Sequence, residues 1–181
     1  MDELDWVSIK SGLLEMARKR GAEVARVGDP VLLEDAEPGL RPSDLLTDVK
    51  SMIVLGGAAP RAAEWQSPRV EVMETVGTAD RMAALGSSVA RHIEDTFGYY
   101  ALNVPTSTDE NDKAFLDFKA AAIASGAGSA SLAGPVLDPT YGFLYLTVIL
   151  TTLPLPVDGP LQEAACPAPQ CVDMWDEKGT T

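Results

Sequence analysis

In "LDWVSIKSGLLEMARKRGA", Leu4, Val7, Leu14 and Ala17 recur near one face at helical spacing, and Gly21 stands where a helix takes its C′ glycine. "EVARVGDP" reads as a strand that turns out at Gly28-Asp29-Pro30. "PGLRPSDLL" predicts a turn and a short helix with Ser43 as N-cap. The short apolar run "SMIVLGGAAP", stopped by glycines, predicts a buried strand. From Arg69 to Phe97, Met82, Leu85, Val89, Ile93 and Phe97 return every three or four positions, so this is the longest helix, closed by Gly98. "YYALNVP" is strand-like and leaves its sheet at Pro105. "DENDKAFLDFKAAAIASGAG" predicts a helix capped by Asp109 or Asn111 and stopped at "GAG". "GFLYLTVILTTL", rich in β-branched and aromatic residues, predicts the central strand, and beyond Pro154 the pattern becomes a proline- and acid-rich tail. Helices alternating with strands imply a three-layer α/β (α+β) domain over residues 1–158, with 159–181 as the tail.

Composition narrows the partners. The chain has 181 residues, 46% of them hydrophobic and 23% charged, which suits one domain with a real core. Its net charge is −13, and Arg18-Lys19-Arg20 is the only basic run. A field of that sign repels phosphate backbones, so no nucleic-acid partner is expected. The apolar run from Gly142 to Pro156 is too short and too broken by proline to span a bilayer. The acidic "MDELDW" lacks the shape of a signal peptide. No membrane partner and a cytoplasmic location are therefore expected, together with a small-molecule partner and, as one option, a homodimer.

Candidate chemistry is sparse. His92 is the only histidine, lies at the edge of the apolar stripe, and reads as a solvated or half-buried side chain before it reads as a ligand of cobalt or another metal. Tyr99, Tyr100, Tyr141 and Tyr145 carry phenols able to donate a proton, although strand tyrosines more often pack. Lys119 follows "DF" on a helix and reads first as a solvated cation. Asp109, Glu110 and Asp112 read as charges at a helix N-terminus. "SGAG" lacks a following G-K-[ST] and stops a helix more plausibly than it cradles phosphate. Cys166 and Cys171 are thiolate-ligand candidates whose C-P-A-P-Q-C spacing is too loose for a C-x-x-C redox pair.

From Ser125 to Pro160 the motifs become specific. "SGAG" (Ser125–Gly128), "VLDPTYG" (Val136–Gly142) and "VILTTLPLPVDGP" (Val148–Pro160) occur in order, after "GLRPSDLLTDVKSMIVLG" (Gly39–Gly56), "FGYYALNVPTS" (Phe97–Ser107) and "FKAAAIASGAG" (Phe118–Gly128). This series resembles the epoxyqueuosine reductase and reductive dehalogenase superfamily of corrinoid-dependent iron–sulfur reductases. The resemblance implies a nitroreductase-like three-layer core with a mixed central sheet flanked by helices, and cobalamin as cofactor. It places Val136, Leu137, Asp138, Leu146, Thr147 and Lys119 at the cofactor and Tyr141 and Thr106 at the reacting side. Cys166 and Cys171 fall where the family's cysteine cluster begins. The chain departs from the family at four places: Pro105 or Thr106 stands for the catalytic aspartate, Ser131-Leu132-Ala133 stands for a Gly-Lys-Asn element, Phe143, Leu144 and Tyr145 stand at polar positions of a strand one residue shorter, and two cysteines stand against the four thiolates of a [4Fe–4S] cluster. An iron–sulfur cluster is thus expected only if shared between chains or completed by further sequence. The alternative function is a non-catalytic relative, a small binding or interaction protein without a redox cofactor.

Overall fold

A computed structural model describes residues 5–59, 67–131 and 134–162. The first helix, α1 (Trp6–Lys19), starts at Asp5, whose carboxylate accepts the Val7 and Ser8 N–H groups, and ends at Arg20 and Gly21. It buries Leu13, Leu14 and Ala17. Val7, expected on that face, points to solvent; the true inward stripe runs one turn later and is joined by Trp6 and Ile9. Leu4 lies outside the described residues.

Strand β1 (Val24–Gly28) follows, and after a 3-10 turn at Pro30–Leu33 comes α2 (Pro42–Leu45). Ser43 is not the cap of α2: Arg41 holds that position without a side-chain bond, because Pro42 already opens the helix, and the Ser43 hydroxyl donates to Glu34 Oε2 at 2.5 Å. Strand β2 (Ser51–Gly57) is buried at every position, α3 (Pro68–Phe97) closes on left-handed Gly98, and β3 (Ala101–Val104) comes next. Helix α4 (Phe118–Ser125) is capped by Asp117, not by Asp109 or Asn111, and stops at left-handed Gly126. A small sheet holds β4 (Ser129–Ala130), β5 (Val136–Asp138) and β6 (Gly142–Phe143); β7 (Tyr145–Thr151) returns to the main sheet.

The main sheet runs β1-β2-β7-β3. Period-two alternation sorts its side chains into two cores. Ala25, Val27, Ile53, Leu55 and Ile149 face α1 and α3; Val24, Met52, Val54, Val148 and Leu150 face α4. That makes three layers, as expected. Each described ladder is antiparallel, however, where a mixed sheet was expected. The reason is topological: α3 joins the parallel strands β2 and β3, but β7 comes between them.

The segment after Pro154 is more than a tail. Leu153 and Leu155 are buried in the α1/α3 core. Asp158 fastens to the outer edge of β1, its N–H donating to Val27 O at 2.7 Å and its carboxylate accepting the Val27 N–H at 2.8 Å. The same carboxylate meets Lys10 Nζ at 2.6 Å.

Candidate functional site

One end of the main sheet gathers the C-termini of β2 and β3 with the N-termini of β1 and β7. There an open groove of about 690 Å3 lies between α3, the end of β2 and the β5–β6 hairpin. Glu23, Ala58, Ala59, Glu74, Gly77, Thr78, Arg81 and Tyr141 line it. Arg81 ties its walls together, donating to Gly21 O at 2.9 Å and to Ala58 O at 3.3 Å. Glu23 Oε2 accepts the Ala58 N–H at 3.1 Å. The Glu74 carboxylate and the Tyr141 hydroxyl have no hydrogen-bond partner among the described residues.

Local turn chemistry delivers Tyr141 to this groove. In "DPTYG" the Asp138 carboxylate accepts the Thr140 and Tyr141 N–H groups, both at 2.8 Å, Pro139 presets the next φ, and Gly142 takes φ +72°. Asp138 pairs with Gly142 across the hairpin. Tyr141 is left about half exposed, at 47%. Behind it Phe143 meets the edge of Tyr145 at 4.9 Å, and the Tyr145 hydroxyl bonds Thr75 Oγ1 at 2.9 Å, which holds the hairpin against α3.

The other expected site residues do not converge there. Strand β5 lies between β4 and β6: Val136 pairs with β4, Asp138 with β6, and Leu137 with both. Leu146 and Thr147 point to opposite faces of β7. Leu146 packs toward α4, while the buried Thr147 hydroxyl donates to Asn103 Oδ1 at 2.8 Å, and the Asn103 amide donates to Ala83 O and Ser87 Oγ on α3. Lys119 is exposed on α4. Thr106 is exposed just past β3, at the same end of the sheet as the groove but beyond its far edge strand. Cys166 and Cys171 lie outside the described residues, as do Leu132 and Ala133. Ser131, from the position of the Gly-Lys-Asn element, closes a turn onto Pro135 O.

The remaining candidates have structural tasks. Tyr99 packs on Trp6, and His92 bonds Thr96 through Nδ1 and faces the edge of Phe97. Asp109 belongs to a loop bridged by Thr108 and Ala114 rather than to a helix start. Its carboxyl is held below the usual aspartate range by the backbone N–H groups of Lys113 and Asn111. Among the described residues no group of three or more His, Cys, Asp and Glu side chains could hold a metal ion. Sequence reasoning missed Glu23, Glu74 and Arg81, which no motif joins. The turn chemistry of "DPTYG" was the one available signal for the role of Asp138.

No protein-family model matches the chain, and no curated protein matches its sequence. Solved structures do match. An epoxyqueuosine reductase solved with an epoxyqueuosine-modified tRNA-Tyr stem loop aligns at 17% identity and TM-score 0.68, over 92% of this chain and 51% of that one. The epoxyqueuosine reductase of Streptococcus thermophilus aligns at 16% identity and TM-score 0.65, over 92% and 52%. A reductive dehalogenase whose structure suggests a mechanism for B12-dependent dehalogenation aligns at 20% identity and TM-score 0.63, over 98% and 25%. The resemblance read in the sequence therefore holds at the level of the fold. The chain spans about half the length of the first group and about a quarter of the second. With a tRNA stem loop in one of these structures, the comparisons lend no support to the expected lack of a nucleic-acid partner. Among the described residues no helix is long and apolar enough to cross a membrane.

Proposed function

We propose that the chain is the α/β domain of a corrinoid-dependent reductase that acts on a small molecule, with its site at the groove beside Tyr141. The observation that carries this reading is the placement of Tyr141. Within a fold shared with epoxyqueuosine reductases and reductive dehalogenases, a dedicated hairpin turn sets a half-exposed phenol on the wall of an open groove.

The donor set of the groove suits the rim of a corrinoid. Amide arms need both donors and acceptors, and the Tyr141 hydroxyl, the Glu74 carboxylate and the remaining N–H groups of Arg81 supply them. Tyr141 and Phe143 add an apolar edge. A bound corrinoid would supply the electron-transfer chemistry of its cobalt. The chain's own contribution is to seat the ligand and to hold a proton at Tyr141 Oη, within reach of a bound substrate. Thr106, at the same end of the sheet, is retained as an outer contact, while Lys119, Leu146, Thr147 and the β5 backbone stand outside the groove.

An iron–sulfur cluster does not fit this chain's own residues, since Cys166 and Cys171 supply two of the four thiolates required. Reducing electrons come from a donor outside these residues, or from a cluster shared between chains. Reconstitution of the dilute monomer with iron and sulfide should leave near-zero iron per chain, and four irons on a monomer would overturn this.

Titration of the purified protein with cobalamin tests the reading. The visible spectrum should move toward the base-off form, and the melting temperature should rise as ligand in excess stabilises the native state by RT ln(1 + [L]/Kd). Tyr141→Phe should weaken turnover or binding more than Tyr100→Phe. An unchanged spectrum with no thermal stabilisation would overturn the corrinoid assignment and favour a non-catalytic binding protein.

A further inference from the structure

The first three turns of α3 carry an apolar face that the rest of the described chain leaves uncovered. Val72, Met73 and Val76 are 64%, 59% and 54% exposed, on the side of the helix away from the sheet. Arg69 lies at one end of this stripe and Asp80 at the other, both exposed and neither with an ion-pair partner among the described residues. At 100° per residue all five positions fall on one face, spread along about 16 Å of helix at 1.5 Å per residue.

We propose that this face binds a second copy of the chain, two α3 helices packing antiparallel across a two-fold axis. Self-complementarity identifies the occupant. With the axis midway between Glu74 and Thr75, Met73 of one copy meets Val76 of the other, twice, and Val72 flanks the contact. Arg69 then meets Asp80 at both ends, so each exposed charge faces its opposite. An isologous contact requires this pattern, in which residue i meets j and j meets i. Packing of parallel stripes would set Arg69 against Arg69 and Asp80 against Asp80. The contact is a small one, so the dimer should be weak, with dissociation in the micromolar range. Glu74 and Gly77 border the same helix segment on the groove side, so the second copy lies along the rim of the groove without entering it.

Sedimentation velocity over a concentration series, on the full chain, tests this. The species should shift from 19.2 kDa toward twice that mass as concentration rises. Met73→Glu should weaken association at least tenfold by setting a carboxylate into the apolar centre of both copies. Arg69→Asp and Asp80→Arg should each weaken it, and the double exchange should restore it. All these positions are exposed, so the melting temperature of dilute monomer should hold. Val7→Glu, on the exposed side of α1, should leave association unchanged. A monomer at every concentration overturns the proposal, as does a dimer indifferent to Met73→Glu or a double exchange no better than either single one. Neither result depends on cobalamin, so the outcome stands apart from that of the spectral titration.

Discussion

Gly86 shows how one residue sets the distance between layers. It is buried on α3 where that helix crosses β3 and β7. A Cβ there would collide with the Asn103 side-chain oxygen and come within 2.6 Å of Thr147 Oγ1. Those two groups bond each other and, through the Asn103 amide, the backbone of α3. Gly86→Ala should therefore push α3 from the sheet or break the Thr147–Asn103 bond, at a cost of about 1–3 kcal/mol for overpacking. Urea unfolding of the two proteins measures it, and equal midpoints would mean the layer has slack. Thr147 shows the same constraint: its buried hydroxyl is committed to Asn103, so only its backbone is left for the cofactor contact that the resemblance implied. Asp138 is similar, since its carboxylate organises the turn that presents Tyr141. Both assignments follow from orientation, and sequence spacing does not show which face a strand residue occupies once its sheet is covered on both sides.

At the scale of elements, periodicity carried far. The long helix, the buried β2 and the central β7 were legible because their apolar residues repeat at helical spacing or run unbroken. Caps were harder. Asp109, Glu110, Asn111, Asp112 and Asp117 all precede α4, and the one that caps it is Asp117, next to the helix, which accepts the Ala120 N–H at 2.9 Å. Asp109, one of the two expected caps with Asn111, folds its own loop instead. Asp117→Ala should lower stability by about 0.5–2 kcal/mol, whereas Asn111→Ala should leave it nearly unchanged. Chemical denaturation separates the two. The cap of α1 adds a pH signature. The Asp5 carboxyl is held below the usual aspartate range, first by the Ser8 hydroxyl and then by the Ser8 N–H. A depressed folded pKa gives stability that is present above the unfolded value and lost as pH falls through the folded one. Any melting-temperature advantage over Asp5→Asn should thus persist through neutral pH and shrink only below about pH 4. An advantage that vanished already at pH 6 would contradict this account. Strand order was the least legible feature, because nothing local tells β7 to enter between β2 and β3.

At the scale of the whole molecule, the charge of −13 and its distribution decide what the surface can attract. The one basic run is less available than its sequence suggests. Arg18 donates to Ala25 O at 3.0 Å, Lys19 pairs with Glu15 at 2.7 Å, and Arg20 donates to Ser88 Oγ at 2.5 Å. Lys10, on the same helix, is held by Asp158. The acidic excess therefore stands without a basic stripe to offset it, and binding to a phosphate backbone draws its free energy from cations that release counterions. One structural neighbour holds a tRNA stem loop, which makes RNA the demanding test of the small-molecule reading. A tRNA stem loop should show no retardation with this chain at physiological salt, and lowering the salt should not produce the steep gain in affinity that several phosphate contacts give. Charge reversal at Glu15, which frees Lys19, should raise non-specific binding slightly if the run is held back as described. Micromolar, salt-sensitive binding by the unaltered protein would overturn this account, and the proposed substrate class would have to change.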